Sequence, residues 1–216
     1  MLREGTQLWT CLLLHFLQRI LRLRVSYCVK TDHMVEVDNE REWVLASQAG
    51  DHVAFEALVR RHQRMIHALT YRMTGSLADV EDLAQEAFIQ TWEQIGSFRA
   101  EAKFSSWLYR IAVNLCLNWR KRETRRAQVL QNWDVPQETG DSNHPARALL
   151  IQEALLKLPP KQRAAIILTT YDGLNHAEAA QVLGCSETTV SWRLFAARIK
   201  LKRLLRDLAP PKGAKA

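Results

Sequence analysis

Apolar residues recur at three- and four-residue spacing along most of this 216-residue chain, and no stretch sustains the apolar–polar alternation of a strand. Only 8 glycines and 6 prolines interrupt it, mostly at segment boundaries. The expected fold class is therefore all-α. The spacing predicts helices over roughly Trp43–Gln48, Asp51–Met73, Leu77–Ile95, Phe104–Arg125, Ala148–Leu156 and Lys161–Tyr171, then two more within His176–Leu205. Residues Ala127 to Arg147, AQVLQNWDVPQETGDSNHPAR, carry the Pro, Gly, Asp and Ser of a flexible linker, with Trp133 a lone aromatic expected to dock lightly on a neighbour. Two small helical domains are expected on either side, over 40–126 and 148–208.

The C-terminal segment HAEAAQVLGCSETTVSWRLFAARIKLKRLL has the most specific local pattern. Ala179, Ala180, Val182 and Leu183 make a small apolar face, and Gly184 can take the left-handed conformation that ends a helix. Ser186 can cap the next helix, with Glu187 favourably placed in its first turn. Val190, Leu194, Ala197 and Leu201 then face a core, and Cys185 fills a small apolar position in the turn. From Ser186 to Arg206 there are six cations against one acid. Short helix, glycine turn, capped second helix and basic tail together make a helix-turn-helix that reads DNA. The blander alternative is an amphipathic surface helix with solvated charges.

Charge elsewhere is segregated. The chain has 30 Lys and Arg against 23 Asp and Glu, a net charge of +7, which suits a polyanionic partner. Yet Asp79–Ile95 holds five acids and no cation, while Arg99–Arg126 holds eight cations against Glu101 and Glu123. In the acidic helix Val80, Leu83, Ala84, Ala87 and Phe88 form the apolar stripe; Asp79, Asp82, Gln85 and Glu86 lie off it. That face is either solvated or docks on a basic protein surface, because phosphate would be repelled. In the basic segment Phe98, Phe104, Trp107, Tyr109 and Trp119 are interleaved with cations, a pattern suited to single-stranded nucleic acid, where rings stack on bases and cations follow phosphates. Asn114 and Asn118, four apart, share one face. Trp107, Leu108, Ile111, Ala112 and Leu115 stand at core spacing. Trp107 is therefore expected to be mainly buried, with Phe104 and the Ser105–Ser106 loop nearer any extruded base.

Catalysis finds no support. There is no H-E-x-x-H, Gly-rich phosphate loop or nucleophile motif, and His62 and His67 are five apart. Cys11 and His15 lack further ligands. Cys11, Cys28, Cys116 and Cys185 form no CxxC pair and no disulfide framework, which points to a reducing cytoplasm. No cofactor, metal or small-molecule substrate is expected.

The runs DVEDLAQEAFIQTW, GSFRAEAKFSSWLYRIAVN and LPPKQRAAIILTTYDGLNHAEAAQVLG, in that order before the helix-turn-helix, resemble an extracytoplasmic-function sigma factor of bacterial RNA polymerase over about residues 43–206. The resemblance implies a non-enzymatic, cytoplasmic subunit that binds core RNA polymerase through the β′ clamp helices and β flap and directs it to promoter DNA. Asp79, Asp82, Gln85 and Phe88 match the motif docking on the clamp helices. Phe98, Arg99, Lys103, Phe104, Ser105, Asn114, Asn118, Arg120, Lys121 and Arg122 would melt and capture the minus-ten element as single strand, with a base flipped into the Phe98–Ser106 loop. Ser186, Thr188, Thr189, Ser191, Trp192, Arg193, Arg198 and Lys200 would meet the minus-thirty-five duplex, the last two at phosphates. An anti-sigma factor, often held at the inner membrane, is the implied regulator. The family commonly has a small or basic pair where this chain has Ser191 and Trp192, so base preference does not carry over. The competing reading is an ordinary helix-turn-helix regulator whose N-terminal domain senses a ligand or dimerises.

Residues 1–33 lie outside the family pattern. Leu8 to Leu17, LWTCLLLHFL, is too short to span a bilayer and lacks a small-residue cleavage site. One reading is a basic amphipathic helix on a membrane surface. The preferred one is an upstream extension, with Met34 the functional start. The expected N-terminal mass of the protein isolated from its native cells is that of a chain starting at Met34; a peptide beginning earlier overturns that expectation.

Overall fold

The structure, a computed structural model, describes residues 39–129 and 146–208. The extension at 1–33 and Trp133 of the expected linker lie outside the described residues. All regular elements among those described are helical. The first four helices are α1 (Glu40–Gln48), α2 (His52–Thr74), α3 (Leu77–Gln94) and α4 (Phe104–Val129), with a 3-10 turn at Ile95–Ser97. The second group is α5 (Ala146–Leu156), α6 (Pro160–Ile166), α7 (His176–Leu183) and α8 (Glu187–Leu208). α4 therefore runs three residues into the stretch expected as linker, and α5 starts two residues before Ala148.

Several helix ends have a local cause. The Asp51 carboxylate accepts from the amides of Val53 at 2.8 Å and Ala54 at 3.3 Å, a cap of α2 worth about 1 kcal/mol. Ser76 caps α3 through the Asp79 amide. Asn175 and Glu178 cap α7 reciprocally, the Glu178 amide donating to Asn175 at 2.9 Å and the Asn175 amide to Glu178 at 3.0 Å. Gly75 and Gly184 end α2 and α7 in the left-handed conformation, at φ of 76° and 57°. The helix expected over Lys161–Tyr171 divides: α6 ends at Ile166 and a π-helical turn spans Ile167–Tyr171. π turns carry an extra residue and change the direction in which the next side chains point.

α1 to α4 pack around Phe55, Leu58, Ile66, Leu69, Ala87, Leu108 and Ala112, all at most 1 % exposed. α5 to α8 close over a second set: Ala154, Leu155, Ala164, Ile167, Leu168, Ala179, Val190, Leu194 and Ala197. Val190, Leu194 and Ala197 thus face the core as their spacing predicts, while Leu201 is half-buried. The two groups touch: α5 lies against α2, and α7 against α4.

Gly75 tests this packing. A Cβ there would collide with the Leu156 side chain, whereas one at Gly184 would meet open space. Gly184→Ala is expected to cost about 1–2 kcal/mol for the left-handed backbone alone. Gly75→Ala should cost more because Leu156 must also move, and urea titration of both variants reads the difference.

Candidate nucleic-acid interface

The loop between α3 and α4 is held from both sides. From α1, the Gln48 side-chain amide donates to the carbonyls of Ile95 at 3.0 Å and Phe98 at 2.8 Å. Beneath the loop the rings of Phe98, Phe104, Trp107 and His62 cluster, with Phe98–Trp107 centroids 5.2 Å apart and Phe98–Phe104 edge-on at 5.7 Å. Phe104 is buried, at 4 % exposure, and Trp107 is half-buried. Trp107 is thus mainly buried, as its spacing predicts, whereas Phe104, expected nearer an extruded base, is the more deeply buried of the two. Phe104 opens α4 and packs onto the His62 ring, 5.4 Å between centroids. At the loop tip Ala100 takes φ of 55°, a strained value for a residue with a Cβ, costing roughly 1–3 kcal/mol. Ser105 is half-buried and Ser106 buried.

Beyond the loop, Asn114 and Asn118 are exposed on α4, as are Arg99, Lys103, Arg110, Lys121 and Arg122; Arg120 is half-buried. Lys103 Nζ is already engaged, 3.0 Å from Glu178 Oε1 of α7. Glu178 sits below the usual carboxylate range because the Asn175 amide and then Lys103 favour its charged form. On α3, Asp82 is exposed and Gln85 half-buried, but Phe88 is only 8 % exposed and belongs to the core. Asp79 accepts from the Trp119 indole N–H at 3.2 Å, tying the acidic helix to the basic one.

In the helix-turn-helix, the sequence-derived residues divide by what they already hold. The Ser186 hydroxyl accepts from the Thr189 amide at 3.2 Å and meets the Thr189 hydroxyl at 2.9 Å, so this pair caps α8. Arg193 turns back onto Cys185 Sγ at 3.3 Å. Ser191 pairs with His176 Nδ1 at 3.0 Å, across from α7. Thr188, Arg198 and Lys200 are exposed, and Trp192, Phe195 and Ile199 form an exposed apolar row, each more than half exposed.

Sequence reasoning missed Arg163 and Asp172. Arg163 is 1 % exposed and meets no carboxylate; its guanidinium donates to the carbonyls of Leu155 at 2.8 Å, Leu158 at 3.1 Å, Leu156 and Met73. Burial, then the charge of Arg120, brings it down to about 10, still cationic at neutral pH. The Asp172 carboxyl faces the Tyr109 hydroxyl and Arg72, whose Nη1 is 3.9 Å from Oδ1, yet Oδ2 is buried without a partner. Burial pushes it up to about 6 against these two neighbours. Among the described residues no group of three or more His, Cys, Asp or Glu stands ready for a metal, and no helix is long and apolar enough to cross a membrane. Cys116, buried, is raised to about 12 and so held as thiol.

Residues 58–126 match the Sigma-70 region 2 family and residues 148–201 the Sigma-70 region 4 family. The chain is 37 % identical over 167 residues to the ECF RNA polymerase sigma factor SigM of Mycobacterium tuberculosis, covering 77 % of this chain and 85 % of that protein. Among solved structures it is similar to CnrH in complex with the cytosolic domain of CnrY, at a TM-score of 0.62 and 29 % identity, covering 80 % of this chain and all of that one. It is also similar to the sigma factor RpoE of Bartonella quintana in complex with the anti-sigma factor NepR, at a TM-score of 0.59 and 25 % identity, covering 72 % and 98 %.

The buried histidine under the loop gives a pH test. His62 Nε2 finds nothing nearer than Glu40 Oε2 at 3.4 Å, and burial lowers its pKa from 6.5 despite that carboxylate. The unfolded chain then binds the extra proton first, so this contribution is present above pH 6.5 and is lost as pH falls through the folded value. Asp172, raised from 3.8 to about 6, has the opposite slope, favouring the folded state as pH falls through 6. Urea titrations between pH 7 and 5 should therefore show a shallower acid loss in His62→Gln than in the native chain; equal slopes would remove His62 from the account.

Proposed function

The chain belongs to the extracytoplasmic-function (ECF) sigma factors of RNA polymerase, which direct promoter-specific transcription, and from that premise we propose how its surfaces divide the work. Residues 40–126 act as the region 2 unit and 148–208 as the region 4 unit. The exposed face of α3 centred on Asp82, with Asp79 and Gln85, docks on the β′ clamp helices of core polymerase, with Phe88 supporting that face from within. Region 4 meets the β flap. The loop from Phe98 to Ser106 captures a base of the minus-ten element as single strand. Asn114, Asn118 and the cations Arg99, Lys103, Arg120, Lys121 and Arg122 follow the strand. Thr188, Ser191, Trp192 and Arg193, on α8, read the minus-thirty-five duplex beside the Ser186–Thr189 cap. Arg198 and Lys200 contact phosphates, adding affinity without sequence information.

The observation that carries this reading is the loop itself. A strained, cation-flanked loop pinned by Gln48 over an aromatic cluster supports this reading: a loop already fixed in shape loses little further freedom on capturing a base, which helps offset the few kcal/mol needed to unstack it. The protein works in the cytoplasm as a subunit rather than an enzyme and needs no cofactor. An anti-sigma factor controls it, as in the RpoE complex to which it is similar.

The test is transcription in vitro with bacterial core polymerase lacking sigma and a pool of upstream fragments from the source genome. Discrete new start sites sharing two spaced elements are expected. Asp82→Arg should remain folded and lose at least about tenfold in transcript yield, equivalent to about 1.4 kcal/mol of docking. If no start sites arise while the protein alone binds specific duplexes, the chain is a conventional regulator.

A further inference from the structure

We infer that Gln48 is a positioning residue for minus-ten recognition: its side-chain amide sets the course of the loop from Phe98 to Ser106, and through it the base that the loop accepts. The inference rests on the functional reading above and deepens it. Gln48 belongs to α1, outside residues 58–126, the stretch matched to the Sigma-70 region 2 family.

Burial does not fix the course of the loop tip, because every residue from Arg99 to Lys103 is exposed. The far end is tied where α4 begins, the Lys103 carbonyl accepting from the amides of Ser106 at 3.0 Å and Trp107 at 3.2 Å. At the near end, the path is inherited from Phe98, which leaves the 3-10 turn extended at φ of −71° and ψ of 118°. Two elements hold this residue. α4 takes its ring, through Phe104 and Trp107, and α1 takes its carbonyl, through Gln48 at 2.8 Å. The same Gln48 amide donates to the Ile95 carbonyl at 3.0 Å, which also accepts from the Phe98 amide at 3.1 Å. One side chain thus ties the start of the turn to its exit. Between the two tied ends Ala100 takes its left-handed φ of 55°, a conformation that persists only where the surroundings over-determine it.

The chemistry demands this residue type. Both partners are carbonyl oxygens, which only accept, so the pin must donate twice; an amide nitrogen carries two donors and a carboxylate none. Gln48 is itself firmly placed. Val44 and Ser47 of the same helix are 5 % and 2 % exposed. The chain then turns back at once, the Gly50 amide donating to Ser47 and the Asp51 amide to Ala46, each at 3.0 Å.

Gln48→Glu removes both donors with little change of shape, and Gln48→Lys replaces them with an ammonium that can reach both carbonyls. Core polymerase reconstituted with each full-length variant is tested on the promoter recovered by transcription. It is tested also on copies carrying one substituted base in either element. With the native chain each substitution should lower transcript yield by at least about fivefold. Gln48→Glu should reduce the minus-ten ratio to about twofold or less, with the minus-thirty-five ratio and polymerase binding unchanged. Gln48→Lys should restore the native ratio. An unchanged minus-ten ratio in Gln48→Glu, both ratios falling together, or no rescue by lysine overturns the inference. Should Gln48→Glu lose helicity by circular dichroism, Gln48→Met, similar in length and uncharged, is judged by the same ratios. Hydrogen exchange on the free protein separates the possible failures. Faster exchange across residues 95–103 in Gln48→Glu without lost discrimination overturns the specificity role alone. A native chain that initiates nowhere overturns the functional reading, and the inference with it.

Discussion

A single guanidinium, sealed from water with no carboxylate beside it, organises the meeting of three helices. The last carbonyls of any helix lack internal partners and carry the negative end of its dipole. Arg163 meets such carbonyls at the end of α5 and at Met73 near the end of α2, and takes a fourth from the turn into α6. Burying a charge is unfavourable unless its hydrogen-bonding capacity is met, and here a planar fork with five donors faces four main-chain acceptors. The exchange is mutual: helix ends that would otherwise need water are closed by a side chain, and the side chain is solvated by backbone. The chain after Pro159 is oriented by this contact, including the helix-turn-helix.

The other organising constraint is separation of charge by face. α3 is acidic outward and α4 basic outward, yet both contribute to one apolar interior through Leu83, Ala87, Leu108 and Ala112. The Asp79–Trp119 hydrogen bond crosses between them without neutralising a cation. Adjacent helices of one small bundle therefore present outward faces of opposite charge. The exposed Trp192, Phe195 and Ile199 extend the same economy to α8, placing an apolar row among its cations.

Much of this was legible in the order of residues. Helical period, the Gly184 stop, the Ser186 cap and the inward set Val190, Leu194 and Ala197 are all local, and local chemistry decided them. What was not legible depends on sequence-distant partners. Gln48 acts 47 and 50 residues away, Gln152 acts 81 and Arg163 acts 90 residues away, and no periodicity signals such pairings. The same limit explains why Phe104 lies deeper than expected: spacing identifies a ring near the core but not which neighbour, here His62, will cover it. A cation within an apolar run, as Arg163 is within KQRAAIIL, was the one available sign of a buried hub.

The π-helical turn at Ile167–Tyr171 ties side-chain aim to chain length. In an α-helix each residue advances by about 100°, so one extra residue in a turn rotates the later side chains by that amount. Tyr171 and Asp172 face Arg72 because of that surplus. Removing a single residue from the turn would restore the helical phase and swing both side chains off the first bundle without altering either one. Insertion and deletion, alongside substitutions in the contact itself, are thus mutational steps that set how the two halves of such a chain are engaged.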